Sequence, residues 1–340
     1  MRDSSNNLPH RLCVAPMMER TDRHCRFLLR RTAPHAWLYT EMITTPALLR
    51  GDHERLLRYH ADEHPLALQL GGSDPDDLAA AASLGAAAGY DEINLNVGCP
   101  SGRVQAACFG AALMLDAPRV ASAVAAMRAA VAVPVTVKTR LGVDRHDSYE
   151  FLHEFTAQVV AAGCSTLIVH ARKAWLKGLS PKQNRDVPPL DYARVYRLKA
   201  DFPDLEIVIN GGLGAVDAAL RQLPYVDGVM LGRGAYSAPM LLGELDRRIF
   251  GSTEPVDASD VLEAYLHYMA GELAAGTALK SMSRHLMGLF AGRPGGKAWR
   301  RELSGLSPDE AGLARLHELL AHSRAPAASA DGYVAAAAAR

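Results

Sequence analysis

The chain has 340 residues, and its 37 Lys and Arg are balanced by 37 Asp and Glu. Zero formal charge excludes recruitment of a polyanion by the overall field and leaves that task to a local patch. Hydrophobic residues make up 49%, enough to core one large domain and a small one, while no run of about 18 uninterrupted apolar residues offers a membrane span. Met1–Asn7 is polar, with no apolar signal core. Cys13, Cys25, Cys99, Cys108 and Cys164 show neither CxxC nor Cys/His ligand spacing. No metal site is expected, and the odd count in a long chain predicts reduced thiols in the cytoplasm. No stable protein partner is implied.

In chain order, apolar runs predict strands near Leu12–Ala15, Trp37–Tyr39, Leu66–Leu70, Glu92–Leu95, Val135–Thr139, Thr166–His170, Glu206–Asn210 and Gly228–Leu231. Helical patterns fall between them, among them Pro75–Ala88, Pro118–Ala130 and Tyr149–Ala162. Such alternation predicts a parallel sheet, and eight units suit a (β/α)8 TIM barrel over residues 1–252. An open doubly wound sheet is the alternative, but it would have fewer strands and a Gly-rich turn after the first. The composition turns to Pro, Asp and Ser around Thr253–Ala258. Beyond it, Val261–Leu273, Ala278–Leu289 and Ala311–Leu320 predict a small C-terminal helical domain over 258–322. Residues 325–340 are mostly Ala and are expected to form a disordered tail.

A barrel places functional groups at the C-terminal ends of its strands. The predicted ends carry Pro16, Met17 and Met18; Gln69; Asn96 and Cys99; Lys138 and Arg140; His170 and Arg172; Asn210, Gly211 and Gly212; and Gly232 with Arg233. Asn94-Leu95-Asn96-Val97-Gly98-Cys99-Pro100 runs from an apolar strand into a Gly-Cys-Pro turn that lifts the Cys99 thiol off the strand end. Standing alone, Cys99 reads more readily as a structural cysteine than as a catalytic one. The glycines after strands seven and eight bring backbone N–H groups close to an anion, and Arg233 adds a charged fork, which together read as a phosphate site. Lys138 lies among β-branched residues and needs either an anion or a carboxylate across the barrel. Gln69 offers both donor and acceptor to the edge of a planar heterocycle. His170 has a structural reading and a second one as a donor to a phosphate ligand. The set suits a flavin mononucleotide, with lysine stabilising the negative charge of the reduced ring.

On Val14–Met18, Thr21–Arg26, Ala67–Gly72, Asn94–Pro100, Val137–Arg140, His170–Trp175 and Asn210–Gly212, the chain resembles the tRNA-dihydrouridine synthase family, and within it the A-type subgroup. The resemblance extends from about His10 to about Ser304. It implies that FMN is held by Pro16, Met17, Met18, Gln69, Lys138, His170, Asn210, Gly211, Gly212, Gly232 and Arg233. It also implies that Cys99 is the proton donor and that Asn96 places the uracil. Two departures stand out: Ala106-Ala107 where the subgroup has Asn-Gly, and Glu19-Arg20 after Met18.

The implied reaction is reduction of the uridine C5=C6 bond in the tRNA D-loop at positions 20 and 20a. Hydride passes from flavin N5 to C6 and a proton from Cys99 to C5, on a base flipped out of its stack. NADPH recharges the flavin transiently, without a dinucleotide fingerprint in the chain. Arg172–Arg185 and residues 280–301 contain basic residues and no acid, so tRNA is expected to be gripped between the two domains, by Arg140, Arg172, Lys182, Arg185, Lys297 and Arg300. Two other functions remain open on residues alone: an FMN dehydrogenase of free pyrimidines, and a tRNA-binding protein without catalysis.

Overall fold

A computed structural model of the protein describes residues 9–106 and 108–324. It divides the chain into two compact units: residues up to Thr21 with Ala36–Gly232, and Asp22–His35 with the residues from Arg233 onward.

The first unit is a parallel barrel. Its strands are β1 (Leu12–Val14), β2 (Leu38–Tyr39), β3 (Ile43–Thr44), β4 (Leu66–Gly71), β5 (Glu92–Asn96), β6 (Val135–Arg140), β7 (Thr166–His170), β8 (Glu206–Asn210) and β9 (Gly228–Leu231). The spatial order is β1-β9-β8-β7-β6-β5-β4-β2, and every pairing is parallel. The ring closes between Cys13 and Trp37: the Trp37 amide donates to Leu12 O at 2.8 Å, and the Val14 amide to Trp37 O at 2.9 Å. All eight expected strands are present. The ninth, β3, is a second short stretch along the edge of β4, paired Ile43 to Leu70. Two residues carry too little periodicity to be read from sequence.

The outer helices begin where side-chain acceptors meet the first free amides. Asp74 caps Pro75–Ala87 by accepting from the amides of Asp76 and Asp77, Asp116 caps Ala117–Ala130, and Ser148 caps Tyr149–Ala161. Small residues bring the helices close to the strands. A Cβ at Gly85 would lie 2.5 Å from Leu68 Cδ2.

Side chains alternate along each strand. The inward set includes Gln69 on β4, Glu92, Asn94 and Asn96 on β5, Thr136, Lys138 and Arg140 on β6, Ile168 and His170 on β7, and Glu206, Val208 and Asn210 on β8. Cys13, Ala15, Tyr39, Ala67, Ile168, Val208 and Met230 form an apolar cluster among them. At the N-terminal ends of the strands, His10 Nε2 lies 2.5 Å from Glu92 Oε2 and Nδ1 lies 2.7 Å from Glu206 Oε2. Burial pushes His10 down, but the two carboxylates outweigh it and hold the imidazolium up to about 10.

The second unit is helical and is drawn from two parts of the chain. The division falls at Gly232–Arg233, and the early helix Arg23–Thr32 belongs to this unit. Its Phe27 and Leu28 pack into a core with Leu262, Tyr265, Met282 and Trp299, and the Phe27 ring stacks on Tyr268 at 4.1 Å. Asp22 caps that helix through the Cys25 amide and also holds Arg284 and His285. The Pro/Asp/Ser stretch is a connection inside this unit, between helices Pro239–Phe250 and Ala258–Ala274. The expected Ala278–Leu289 helix is a short helix, Leu279–Ser283, followed by a 3-10 segment, Arg284–Gly288. There a Cβ at Gly288 would lie 2.5 Å from Ser237 O. The tail over 325–340 and residue 107 lie outside the described residues. Among the described residues no helix is long and apolar enough to cross a membrane.

Candidate active site

β5 ends at Asn96, whose side chain shapes the turn that follows. Asn96 Oδ1 accepts from the amides of Gly98 at 3.2 Å and Cys99 at 3.0 Å. Cys99 is half-buried, and its carbonyl accepts from the Ala111 amide at 2.9 Å. The glycine this turn requires differs from the one expected. A Cβ at Gly98 would meet its neighbours no closer than 3.4 Å, in ordinary contact, whereas Gly110, at φ 71°, would place one 2.5 Å from Cys99 O. Nothing in the sequence between the two residues signals that approach.

Beside this turn, Lys138 is half-buried, and the Val97 amide donates to its carbonyl at 2.8 Å. Among the described residues its ammonium donates to Asn210 Oδ1 at 3.2 Å and meets no carboxylate. Burial, then the Arg140 guanidinium, push it down to about 7. Of the two readings open at the sequence level, pairing with a carboxylate is therefore excluded among the described residues. His170 is buried, and its ring takes no hydrogen bond among them. Burial and then Arg140, Lys138, Arg172 and Arg185 hold it well below the usual imidazole range, so it is neutral at pH 7.

Asn210 donates to Met230 O at 2.7 Å while accepting from Lys138. The next two residues, Gly211 and Gly212, have φ 113° and 70°, and their amides donate to no group among the described residues. A Cβ at Gly211 would lie 2.6 Å from His170 Cδ2. Two unused amides beside a buried imidazole, with an ammonium that meets no carboxylate among the described residues, suit an anion. Gly232 faces Ala15 and Met17, and Arg233, exposed, opens the next helix in the second unit. Pro16 and Met17 are half-buried at the end of β1, the Met17 amide is fixed on Thr21 Oγ1 at 2.9 Å, and Met18 is 59% exposed. Glu19 takes a positive φ of 62°, with its amide donating to Glu41. Gln69 is buried, with its amide bonded to Asn94 and Asn96. This donor set fits a flavin nucleotide: an amide edge, a cation, and two open backbone amides.

The six basic residues expected to meet tRNA separate into two groups. Arg140 is 3% exposed and spends its guanidinium on the carbonyls of Gly98 at 2.9 Å, Lys173 at 3.1 Å and Asn184 at 3.0 Å. Arg172 donates to the carbonyls of Asp186 and Pro188. Both hold loops, because buried carbonyls need donors. Lys182 and Arg185 are exposed on the loop after β7, and Lys297 and Arg300 are exposed on the helix Gly296–Ser304. Lys182, Lys297 and Arg300 make no ion pair among the described residues. Sequence reasoning missed His10, Glu92, Thr136 and Glu206, which join inside the barrel.

The profile of the dihydrouridine synthase (Dus) family matches residues 13–324. A tRNA-dihydrouridine(20/20a) synthase of Shewanella oneidensis is 53% identical over 305 residues, covering 89% of this chain and 90% of its own. The protein of that name from Xanthomonas campestris is 56% identical, covering 86% and 88%, and that of Escherichia coli K12 is 55% identical, covering 86% of each. Among solved structures, a 2-naphthoyl-CoA reductase in its 2-naphthoyl-CoA complex is similar in fold, with a TM-score of 0.54 at 12% identity. The match covers 69% of this chain and about half, 49%, of the reductase chain. With a family profile matched across nearly the whole chain and relatives above half identity, the chain belongs to the dihydrouridine synthase family.

Proposed function

We propose that this chain reduces the C5=C6 bond of uridines 20 and 20a in the tRNA D-loop to 5,6-dihydrouridine, with FMN as its flavin and NADPH as its transient reductant. The observation that carries the proposal is Lys138, an inward ammonium with an amide oxygen for a partner and no carboxylate among the described residues. It stands in a barrel mouth that also holds Cys99 and the open amides of Gly211 and Gly212. The similarity to proteins named tRNA-dihydrouridine(20/20a) synthase supplies the substrate and the positions.

FMN, when bound, supplies the hydride that adds at C6 of the uracil. The chain's own residues do the rest. Gly211, Gly212 and Gly232 offer amides to the phosphate, followed by Arg233, while His170 donates from its neutral ring. Pro16, Met17 and Met18 line one edge of the ring system, and Gln69 and Lys138 meet its polar edge. Lys138 holds its proton more firmly as an anion arrives, because an opposite charge favours the charged form. Asn96 orients the uracil, and the Cys99 thiol delivers a proton to C5 from the opposite face as negative charge builds there. Lys182 and Arg185 on the barrel loop, and Lys297 and Arg300 three residues apart on one helix face, take tRNA phosphates. Arg140 and Arg172 support the loops that carry these groups.

Purified protein incubated with FMN is expected to retain a yellow chromophore that NADPH bleaches. Protein that stays colourless after incubation, or flavin that NADPH leaves oxidised, contradicts the reading.

A further inference from the structure

We infer that a one-way hydrogen-bond ladder through the barrel, anchored on Glu92, fixes which atoms of Gln69 and Asn96 are left to meet ligands, making Thr136 and Asn94 positioning residues for the Cys99 turn. This rests on the reading of these strand ends as the flavin and uracil site. The rungs lie on three adjacent strands. Thr136 donates to Glu92 Oε1, and Asn94 Nδ2 donates to Thr136 Oγ1 at 2.8 Å. Gln69 Nε2 donates to Asn94 Oδ1 at 2.7 Å, and Asn96 Nδ2 donates to Gln69 Oε1 at 2.8 Å. Asn96 Oδ1 then accepts the amides of Gly98 and Cys99. Glu92, Asn94 and Thr136 are fully buried, so no water competes.

Both ends dictate the same direction. At the foot, Glu92 sits against His10, which is also paired with Glu206. The Thr136 hydroxyl spends its single proton on Glu92 Oε1 and can therefore only accept from Asn94. At the head, two backbone amides only donate, so Asn96 must present its oxygen to them. A reversed ladder would set donor against donor at the head and leave Glu92 without the Thr136 proton at the foot. Counting donors and lone pairs then gives what remains. Both lone pairs of Asn96 Oδ1 are used, and one Nδ2 hydrogen is left: Asn96 offers a substrate carbonyl a donor and nothing else. Gln69 keeps one N–H and one lone pair. The rungs polarise one another along the chain, so loss of the Thr136 hydroxyl frees the Asn94 amide to rotate and the loosening reaches the Cys99 turn.

The test uses flavin-free full-length protein and iodoacetamide, with peptide-resolved mass spectrometry of Cys99 and the exposed Cys108 as internal reference. Thr136→Val is expected to alkylate at Cys99 about fivefold faster than wild type relative to Cys108, the effect of about one hydrogen bond on the closed turn. Thr136→Ser, which keeps the hydroxyl, is expected to match wild type. Thr136→Ala removes the hydroxyl without a new methyl contact and serves if the valine variant does not fold. A folded hydroxyl-less variant with the wild-type Cys99 rate, or a serine variant as fast as the valine one, overturns the ladder. Wild-type protein that takes up no FMN overturns the flavin reading instead, and the alkylation rates still decide the ladder.

Discussion

An ammonium held inside a barrel without a carboxylate lowers the stability of the flavin-free protein, and among the described residues Lys138 is in that position. Its folded-state pKa, about 7, lies below the ordinary lysine value. The unfolded chain therefore binds more protons between about 7 and 10.5, and this group's penalty is full below pH 7 and relieved as pH rises through that window. Lys138→Met is predicted to stabilise flavin-free protein by on the order of 1 kcal/mol or more at pH 6.5, with the gain shrinking toward pH 10, while flavin retention falls sharply. Denaturant unfolding at the two pH values checks it, and a gain independent of pH contradicts it. Cys99→Ala is predicted to keep flavin and its reduction by NADPH and to lose dihydrouridine formation by a factor of at least about 100, the range of general-acid catalysis. A wild-type single-turnover rate on tRNA would assign the acid elsewhere. Cys13, Cys25 and Cys164 are buried, and their Ala variants should lose packing alone.

Among the elements, the loop after β8 is the least tolerant of change. Gly211 combines φ 113° with a Cβ position 2.6 Å from His170, so Gly211→Ala is predicted to displace the imidazole and cost about 1–3 kcal/mol of stability. It should weaken FMN binding beyond that of Gly214→Ala, where a Cβ meets nothing within 4 Å. Equal FMN affinities for the two variants would remove this loop from the flavin site. The β strands were legible in the sequence because short apolar runs recur with helical patterns between them, and the strand-end groups followed from where those runs stop. The assignment of Arg23–Thr32 to the helical unit was not legible, since it depends on Phe27 and Leu28 finding partners more than 200 positions away. Glu92 and Glu206 open apolar strands and looked like strand boundaries, although His10 draws both into the barrel. Arg140 and Arg172 have the charge of a nucleic-acid contact, but only the loop geometry shows that backbone carbonyls take their donors.

At the scale of the whole molecule, a chain of zero net charge must hold tRNA with particular residues. Replacing Lys182, Arg185, Lys297 and Arg300 together by Ala is predicted to raise KM for tRNA strongly and to flatten its dependence on salt, because fewer counterions are released. Reduction of the flavin by NADPH, measured without tRNA, should keep its rate. Unchanged tRNA kinetics would leave these four as solvated surface charges. The most direct measurement is to incubate an unmodified tRNA transcript carrying uridines at 16, 17, 20 and 20a with the purified protein, FMN and NADPH, and to map dihydrouridine by position. Dihydrouridine at 20 and 20a is the predicted result; none at all, or dihydrouridine confined to 16 and 17, would contradict it.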